Sequence, residues 1–141
     1  MWTLPVNDRL SYWREFRTKN SNKSKHDFLE TTSIFWQTAP ISTQFLAVDL
    51  PHTWPSPWQL IADNYYDNIA IALGIYYTVT LSTVFDSDDV SLDVYRKNSE
   101  EYYTVRADNL IANWELGTLT TAVEGSYQKV FQYDFRELTY K

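Results

Sequence analysis

Histidine and cysteine, which often act in acid–base and nucleophilic catalysis, are scarce in this 141-residue sequence. It contains two histidines, His26 and His52, and no cysteine. His52 follows Asp49 by three residues in the segment DLPHTWP, and a histidine beside a carboxylate can exchange a proton with a substrate. A histidine exposed on a loop is the simpler interpretation. The HExxH, GxSxG, phosphate-loop and zinc-finger patterns are missing from the sequence, so we expect no catalytic residue, metal site or cofactor.

Two groups of carboxylates are the other candidates for chemistry. Asp86, Asp88 and Asp89 fall within one turn of the segment FDSDDVSLD, and dense oxygen ligands of this kind suit hard cations such as calcium. The glycine and distal glutamate of an EF-hand loop are missing, which favours a solvated turn but leaves cation binding open. Asp63 and Asp67 lie on the polar side of a predicted helix, where a carboxylate usually faces water.

Aromatic and basic residues indicate a contact surface instead. The sequence is 17% aromatic, and most of these rings must fill the core. Trp and Arg are also the strongest anchors at protein interfaces, and Trp54, Trp58 and Trp114 are candidates for a peptide- or sugar-binding platform. Residues 1–25 carry six Lys or Arg against two acidic residues, although the net charge of the chain is −6. The predicted interface residues are Trp54, Trp58, His52, Arg14, Arg17, Lys19, Lys23 and Lys25.

Composition and charge also argue against several classes of protein. Nucleic-acid binding is not expected, because only residues 9–25 offer a basic face. No apolar run is long enough to span a membrane. The N-terminal segment MWTLPVNDRL lacks the basic start and apolar core of a secretory signal. Other protein chains are therefore the expected partners.

The segment from Ser56 to Thr83 is predicted to form one long buried helix followed by a strand. Ser56, Pro57 and Gln59 form a capping-box pattern at a helix start. Apolar residues then recur every three or four positions, and Gly74 fits the left-handed residue that ends many helices. From residue 75 to 82 aromatic and β-branched residues alternate with polar ones, a pattern typical of a strand.

The remaining segments complete an α+β prediction for a single domain of residues 1–141. Residues 1–55 contain two short helices, 6–19 and 26–37, followed by a wrapping loop. Residues 56–83 supply the central helix and strand. Residues 84–141 contain five short strands at regular spacing, which predict an antiparallel meander. In this architecture the N-terminal helices and the long central helix pack on a C-terminal, mainly antiparallel sheet.

Three segments resemble the core of the transglutaminase-like (papain-related) family. They are ALGI at 72–75, VSLDVY at 90–95 and YYTVRAD at 102–108. The resemblance places the family's cysteine near Trp58–Leu60 and its histidine at Asp88 or Asp89, whereas Asp108 matches the family's acid. Because the cysteine and the histidine are missing, the resemblance implies an inactive member used as a scaffold.

These observations lead to three hypotheses about function. The first is a non-enzymatic structural or interaction protein, since the short Trp- and Tyr-rich chain also resembles small proteins of tailed bacteriophages. It would then be a virion or assembly component, in the virion or the host cytoplasm. The second is a small hydrolase in which His52 or two carboxylates meet in a cleft. The third is an acidic inhibitor of a host nucleic-acid-binding protein, because residues 26–141 are strongly negative.

Overall fold

The computed structural model describes residues 1–42, 46–114 and 118–138, which form an α+β fold as predicted. Four helices precede a five-stranded antiparallel sheet. The helices are α1 (Val6–Lys19), α2 (Lys25–Trp36), α3 (Pro57–Asp63) and α4 (Asn68–Thr80), and single 3-10 turns occur at Pro51–Thr53 and Ser87–Asp89. The strands are β1 (Val90–Lys97), β2 (Glu100–Ala107), β3 (Leu110–Ala112), β4 (Leu119–Thr120) and β5 (Gln128–Asp134). No helix of the described part is long and apolar enough to cross a bilayer.

The predicted single central helix is wrong, because the chain breaks between residues 63 and 68. Ser56 caps α3 as expected, accepting a hydrogen bond from the Gln59 backbone amide. Asn64 then adopts a left-handed conformation with φ of 58° and ends α3 after seven residues. Asp67 caps the next helix, since its side chain accepts a hydrogen bond of 2.8 Å from the Ala70 amide. Asparagine and aspartate are suited to both positions.

The predicted strand at 75–83 is also wrong, because α4 continues through Thr80. Every residue of α4 from Ile69 to Val79 is buried, so the helix presents no polar face. A helix that is apolar all round lacks the periodicity that distinguishes it from a strand. Gly74 lies inside the helix rather than at its end, and a Cβ there would approach the Trp36 ring to 2.5 Å. The glycine thus permits close helix packing.

A hydrogen-bonded node fixes α4 against α1 and α2. The Thr78 hydroxyl accepts a bond of 2.9 Å from the indole nitrogen of Trp13 and another of 2.9 Å from that of Trp36. It donates to the Gly74 carbonyl at 2.7 Å. All three side chains are almost completely buried, and buried polar groups require such partners. One threonine therefore sets how two tryptophans pack on the central helix.

The sheet has the order β4-β3-β2-β1-β5, so it is a meander only through β4. β5 returns to pair with β1 at the other edge, which corrects the prediction of a continuous meander. Residues 121–127 make this connection. Tyr127, at its end, packs against Tyr102 and Trp114 with ring centroids 5.3 and 4.6 Å apart. The inner face of β1 and β2 packs on α4, and β1 is buried on both faces as far as Tyr95.

Candidate functional site: a basic groove beside α3

The structure brings together three of the predicted interface residues, Trp58, Arg14 and Arg17. They line a groove of about 390 Å³ between α1 and α3. Arg14 and Arg17 also line an adjoining concavity of about 310 Å³ that is bordered by residues 81–83, which follow α4. We call this continuous surface the basic groove. Trp58 remains 52% exposed there, which is unusual for the largest apolar side chain.

The spacing along α1 and a buried arginine position the basic groove. Leu10, Arg14 and Arg17 stand on one face of α1 because they are separated by four and three residues. Arg9 holds this helix to the end of α3, donating to the Ile61 carbonyl at 3.1 Å and the Ala62 carbonyl at 3.0 Å. These carbonyls belong to the last turn of α3, where a cation is favourable. Arg9, one of the basic residues of the 9–25 segment, therefore has a structural role.

Aromatic side chains help to position Arg17 and Trp58 in the basic groove. The Arg17 guanidinium lies 4.5 Å from the centroid of the Trp13 ring, within the range of a cation–π interaction. Trp13 is itself fixed by Thr78. Tyr77 of α4 donates a hydrogen bond of 2.6 Å to the carbonyl of Pro55, two residues before α3. This bond holds the start of α3, and therefore Trp58, against α4.

Trp54, in contrast, lies in the core rather than at an interface. It is 8% exposed, its indole nitrogen donates to the Ala47 carbonyl at 2.8 Å, and its ring packs edge-on against Tyr133 at 5.4 Å. Trp54 and Trp58 are four residues apart, but Trp54 ends a 3-10 turn whereas Trp58 lies in the first turn of α3. The structure therefore corrects the prediction that Trp54 is an interface residue.

The other predicted contact residues do not join the basic groove. Lys19 lines a different groove between α1 and α2. Lys23 donates to the Thr31 hydroxyl at 3.2 Å. Lys25 pairs with Asp108 at 2.8 Å. His52 is exposed on the turn at Pro51–Thr53, and within the described residues no hydrogen bond or ion pair joins it to a carboxylate. The histidine form of the hydrolase hypothesis therefore lacks a histidine–carboxylate pair.

Two of the positions carried over from the family resemblance meet at one end of the sheet. The Asp108 amide donates to the Asp89 carbonyl at 3.0 Å, so the acid position lies beside the histidine position. The Asp108 carboxylate is occupied by Lys25, and that hydrogen bond raises the pKa of the lysine. The place expected for the cysteine, Trp58–Leu60, lies on α3, and of these residues Trp58 lines the basic groove.

No cluster of three or more metal-binding side chains occurs in the ranges that the structure describes. Asp86 caps its own turn by accepting from the Asp88 amide at 3.1 Å. Asp86 and Asp89 also lie close enough to Lys25 to raise the pKa of its ammonium group. The lysine thus supplies the positive charge beside this turn, and the residues present do not fit a calcium site.

A buried carboxylate on the outer face of the sheet escaped the sequence prediction. Asp93 is 1% exposed, accepts a hydrogen bond of 2.8 Å from the Ser91 hydroxyl, and lies 3.5 Å from the cationic groups of both Arg106 and Lys129. Ser91 and Asp93 alternate with apolar residues in the sequence, a pattern typical of a strand with one solvated face. Buried charges require such partners, and this cluster ties β1 to β2 and β5.

Comparison with known proteins identifies the fold. No protein-family model and no curated protein matches the sequence. Solved structures of Legionella pneumophila LapG are similar: one has a TM-score of 0.72 at 17% identity and covers 92% of this chain and 76% of that chain. The EGTA-treated form of LapG has a TM-score of 0.73 at 17% identity, and the match covers 92% of this chain and 74% of that chain. The calcium-bound form of LapG has a TM-score of 0.74 at 16% identity, and the match covers 94% of this chain and 77% of that chain. At this identity the likeness establishes the fold, which is transglutaminase-like as the resemblance implied.

The same comparison contradicts the prediction that the protein is not an enzyme. LapG is a calcium-dependent cysteine protease, so the fold belongs to a class with catalytic members. The missing cysteine and histidine, from which that prediction was made, exclude only one kind of chemistry. These 141 residues contain no cysteine, and thiol-based acyl transfer needs one.

Proposed function

We propose that this protein binds another protein through the basic groove, using a transglutaminase-like domain as the scaffold. The observation that carries the proposal is that the exposed Trp58 ring lines the same concave surface as Arg14 and Arg17. Tryptophan and arginine are the residues that most often dominate binding energy at interfaces. Membership of a larger particle, such as a virion, is part of this proposal.

The chemistry of the groove specifies the partner. Leu10 and Trp13 supply part of its apolar lining, and Arg14 and Arg17 supply its positive charge. A complementary surface offers an apolar or aromatic anchor flanked by carboxylates, which guanidinium groups bind through paired hydrogen bonds. Complementary charges chiefly speed association and select the partner, whereas the buried anchor supplies most of the affinity. The partner is therefore an acidic protein segment with at least one large apolar side chain.

Salt and mutation distinguish this mode of binding from non-specific adhesion. The chain has a net charge of −6, so an acidic partner must approach through the local basic surface. Exposed charges are screened beyond about 8 Å at physiological ionic strength. Raising the salt concentration should therefore slow association, while the Trp58 anchor should still slow dissociation.

The test is an affinity pull-down from the native source, quantified by mass spectrometry, with the tagged protein and two matched variants. Trp58→Ala removes the anchor, and Tyr65→Ala removes an equally exposed aromatic side chain (52% and 54%) that does not line the groove. A partner that uses the groove is lost with Trp58→Ala and retained with Tyr65→Ala. Equal recovery with both variants would contradict the proposal.

The identity of the captured protein separates the remaining hypotheses. Stoichiometric recovery of particle proteins would support the assembly role. Recovery of a basic nucleic-acid-binding protein would instead support the inhibitor hypothesis, with the contacts made by the acidic surface outside the groove. Arg14→Glu distinguishes the two, because it repels an acidic partner and leaves a basic partner bound.

A further inference from the structure

A second concavity, here called the α4 pocket, lies between the end of α2, the first turn of α4 and the uncovered part of β2. Its volume is about 300 Å³, at the lower limit of the roughly 300–1,000 Å³ typical of small-ligand sites. β3 pairs only with Val105–Ala107 of β2, so Glu101–Tyr103 remain open to it. The side chains that set its chemistry are three carboxamides and three aromatic rings: Gln37, Asn68, Asn113, Tyr102, Tyr103 and Trp114.

The three carboxamides provide neutral hydrogen-bonding groups. Asn68 is the exposed first residue of α4. Asn113 donates to the Tyr103 carbonyl at 2.8 Å, and its own carbonyl oxygen can still accept. The side-chain nitrogen of Gln37 is buried and has no hydrogen-bond partner among the described residues. An unpaired buried donor costs free energy, and a rotation of the Gln37 side chain toward the pocket would let a ligand acceptor recover it.

Among the described residues that line the α4 pocket, the one carboxylate is already compensated. Glu101 accepts a hydrogen bond of 2.8 Å from Arg96 and another of 3.2 Å from the Tyr103 hydroxyl. Burial and the neighbouring Glu101 carboxylate raise the pKa of Tyr103 to about 12, so the phenol remains a neutral donor. The balanced charge of these groups favours a neutral ligand with many hydroxyl groups.

A fixed aromatic platform forms one wall. Tyr102 and Trp114 stack with ring centroids 5.3 Å apart and an angle of 19° between their planes. Tyr95 and Tyr127 make T-shaped contacts with Trp114, with ring centroids 5.3 and 4.6 Å apart, and these contacts hold the indole in place. Rigid aromatic faces offer apolar contact area at little entropic cost. The C–H face of a pyranose ring is a ligand surface of matching shape.

We propose that the α4 pocket binds a neutral saccharide, with one sugar ring packed on the Tyr102–Trp114 platform and its hydroxyls bonded to Gln37, Asn68 and Asn113. Planar amides suit this ligand because each offers both donors and an acceptor. An extended peptide fits less well. Peptides that add to a sheet edge need its backbone groups, and the Tyr103 carbonyl at this edge is taken by Asn113.

The test is isothermal titration calorimetry of the full chain against cellotriose, xylotriose, maltotriose and chitotriose, with trigalacturonate as the charged control. Binding of at least one neutral trisaccharide is expected, and trigalacturonate should bind more weakly beside Glu101. Asn68→Ala and Gln37→Ala should each weaken that binding about 3- to 10-fold, the loss expected for one or two neutral hydrogen bonds.

The matched control is Asn7→Ala, which removes an exposed asparagine from the first turn of α1, an element that does not line the pocket. Its affinity should equal that of the wild type. Absence of heat with all four neutral trisaccharides at millimolar concentration would overturn the proposal. So would unchanged affinity in both Asn68→Ala and Gln37→Ala, or tighter binding of an unrelated tripeptide than of any saccharide.

Discussion

Replacing Thr78 with valine tests the hydrogen-bonded node on which the helical layer depends. The change preserves the shape of the side chain and its β-branching, but it removes the acceptor shared by the indole nitrogens of Trp13 and Trp36. Trp13, Trp36 and Thr78 are 2%, 0% and 0% exposed, so water cannot replace the hydroxyl without repacking. The change removes the two buried hydrogen bonds from the indoles, together with the bond that the hydroxyl donates to the Gly74 carbonyl.

The expected loss of stability follows from the indole N–H groups of Trp13 and Trp36, which are left without an acceptor. Each buried, unsatisfied group costs about 1–3 kcal/mol, so the free energy of unfolding should fall by roughly 2–6 kcal/mol. This is a large part of the roughly 5–15 kcal/mol that stabilises a typical domain. Urea denaturation measured by tryptophan fluorescence gives the value directly, and both affected indoles contribute to that signal.

The matched control is Thr80→Val on the same helix. The Thr80 hydroxyl donates only to the carbonyls of Tyr76 and Tyr77, at 2.9 and 3.3 Å, and accepts from no buried donor in the described structure. The free energy of unfolding should change by no more than about 1 kcal/mol, the typical net value of one hydrogen bond. Equal losses for Thr78→Val and Thr80→Val would refute the shared-acceptor account.

Three further predictions concern packing and ionisation. Gly74→Ala should destabilise by about 1–3 kcal/mol or more, since its Cβ would meet the rigid Trp36 ring at 2.5 Å; a stabilised variant in urea denaturation would contradict this packing. Trp54→Ala should lower the free energy of unfolding by about 3–5 kcal/mol because it leaves a cavity in the core beside Tyr133. A loss below about 1 kcal/mol would indicate that Trp54 lies at the surface. The raised pKa of Tyr103 means that its contribution to stability is complete below the unfolded value near 10 and is lost as the pH rises through about 12. Tyr103→Phe should make that alkaline decline shallower in pH-dependent denaturation, and an unchanged slope would count against a buried phenol.

Much of the helical layer could be predicted because its local signals agree. The first helix was predicted at its observed bounds, and the second began one residue late. Ser24 caps α2 by accepting from the Asp27 amide, a signal that lies in the sequence itself. The α+β class followed from the order of helices and strands.

The single helix and the strand predicted for residues 56–83 were wrong because α4 is buried on all sides, so its sequence lacks the polar–apolar periodicity of a helix. In α4 the polar hydroxyl of Thr78 faces two buried indoles, so a polar residue did not mark a solvent face. Likewise Gly74 was interpreted as a helix end, whereas the Trp36 ring that requires it comes from α2, 38 residues earlier in the sequence. Tertiary contacts of this range leave no local signal.

The residue types of the basic groove could be predicted from the sequence, but the fact that these residues lie together could not. Trp58, Arg14 and Arg17 were selected for their chemistry, yet only the crossing of α1 and α3 brings them together. That crossing depends on Arg9, whose hydrogen bonds reach residues 52 and 53 positions away. Trp54 satisfied the same sequence criteria as Trp58 and lies in the core, because the intervening turn rotates the two rings into different environments.

Site-specific photo-crosslinking tests the basic groove as an interface most directly. Trp58 is replaced by p-benzoylphenylalanine in one protein and Tyr65 in another, since both positions are about half exposed, and each protein is irradiated in an extract of the native source. A discrete crosslinked protein at position 58 with none at position 65 is the predicted result. A captured acidic segment that is lost when Arg14→Glu is added would identify the partner of the groove. Crosslinks at position 65 alone, or equal crosslinks at both positions, would contradict the account.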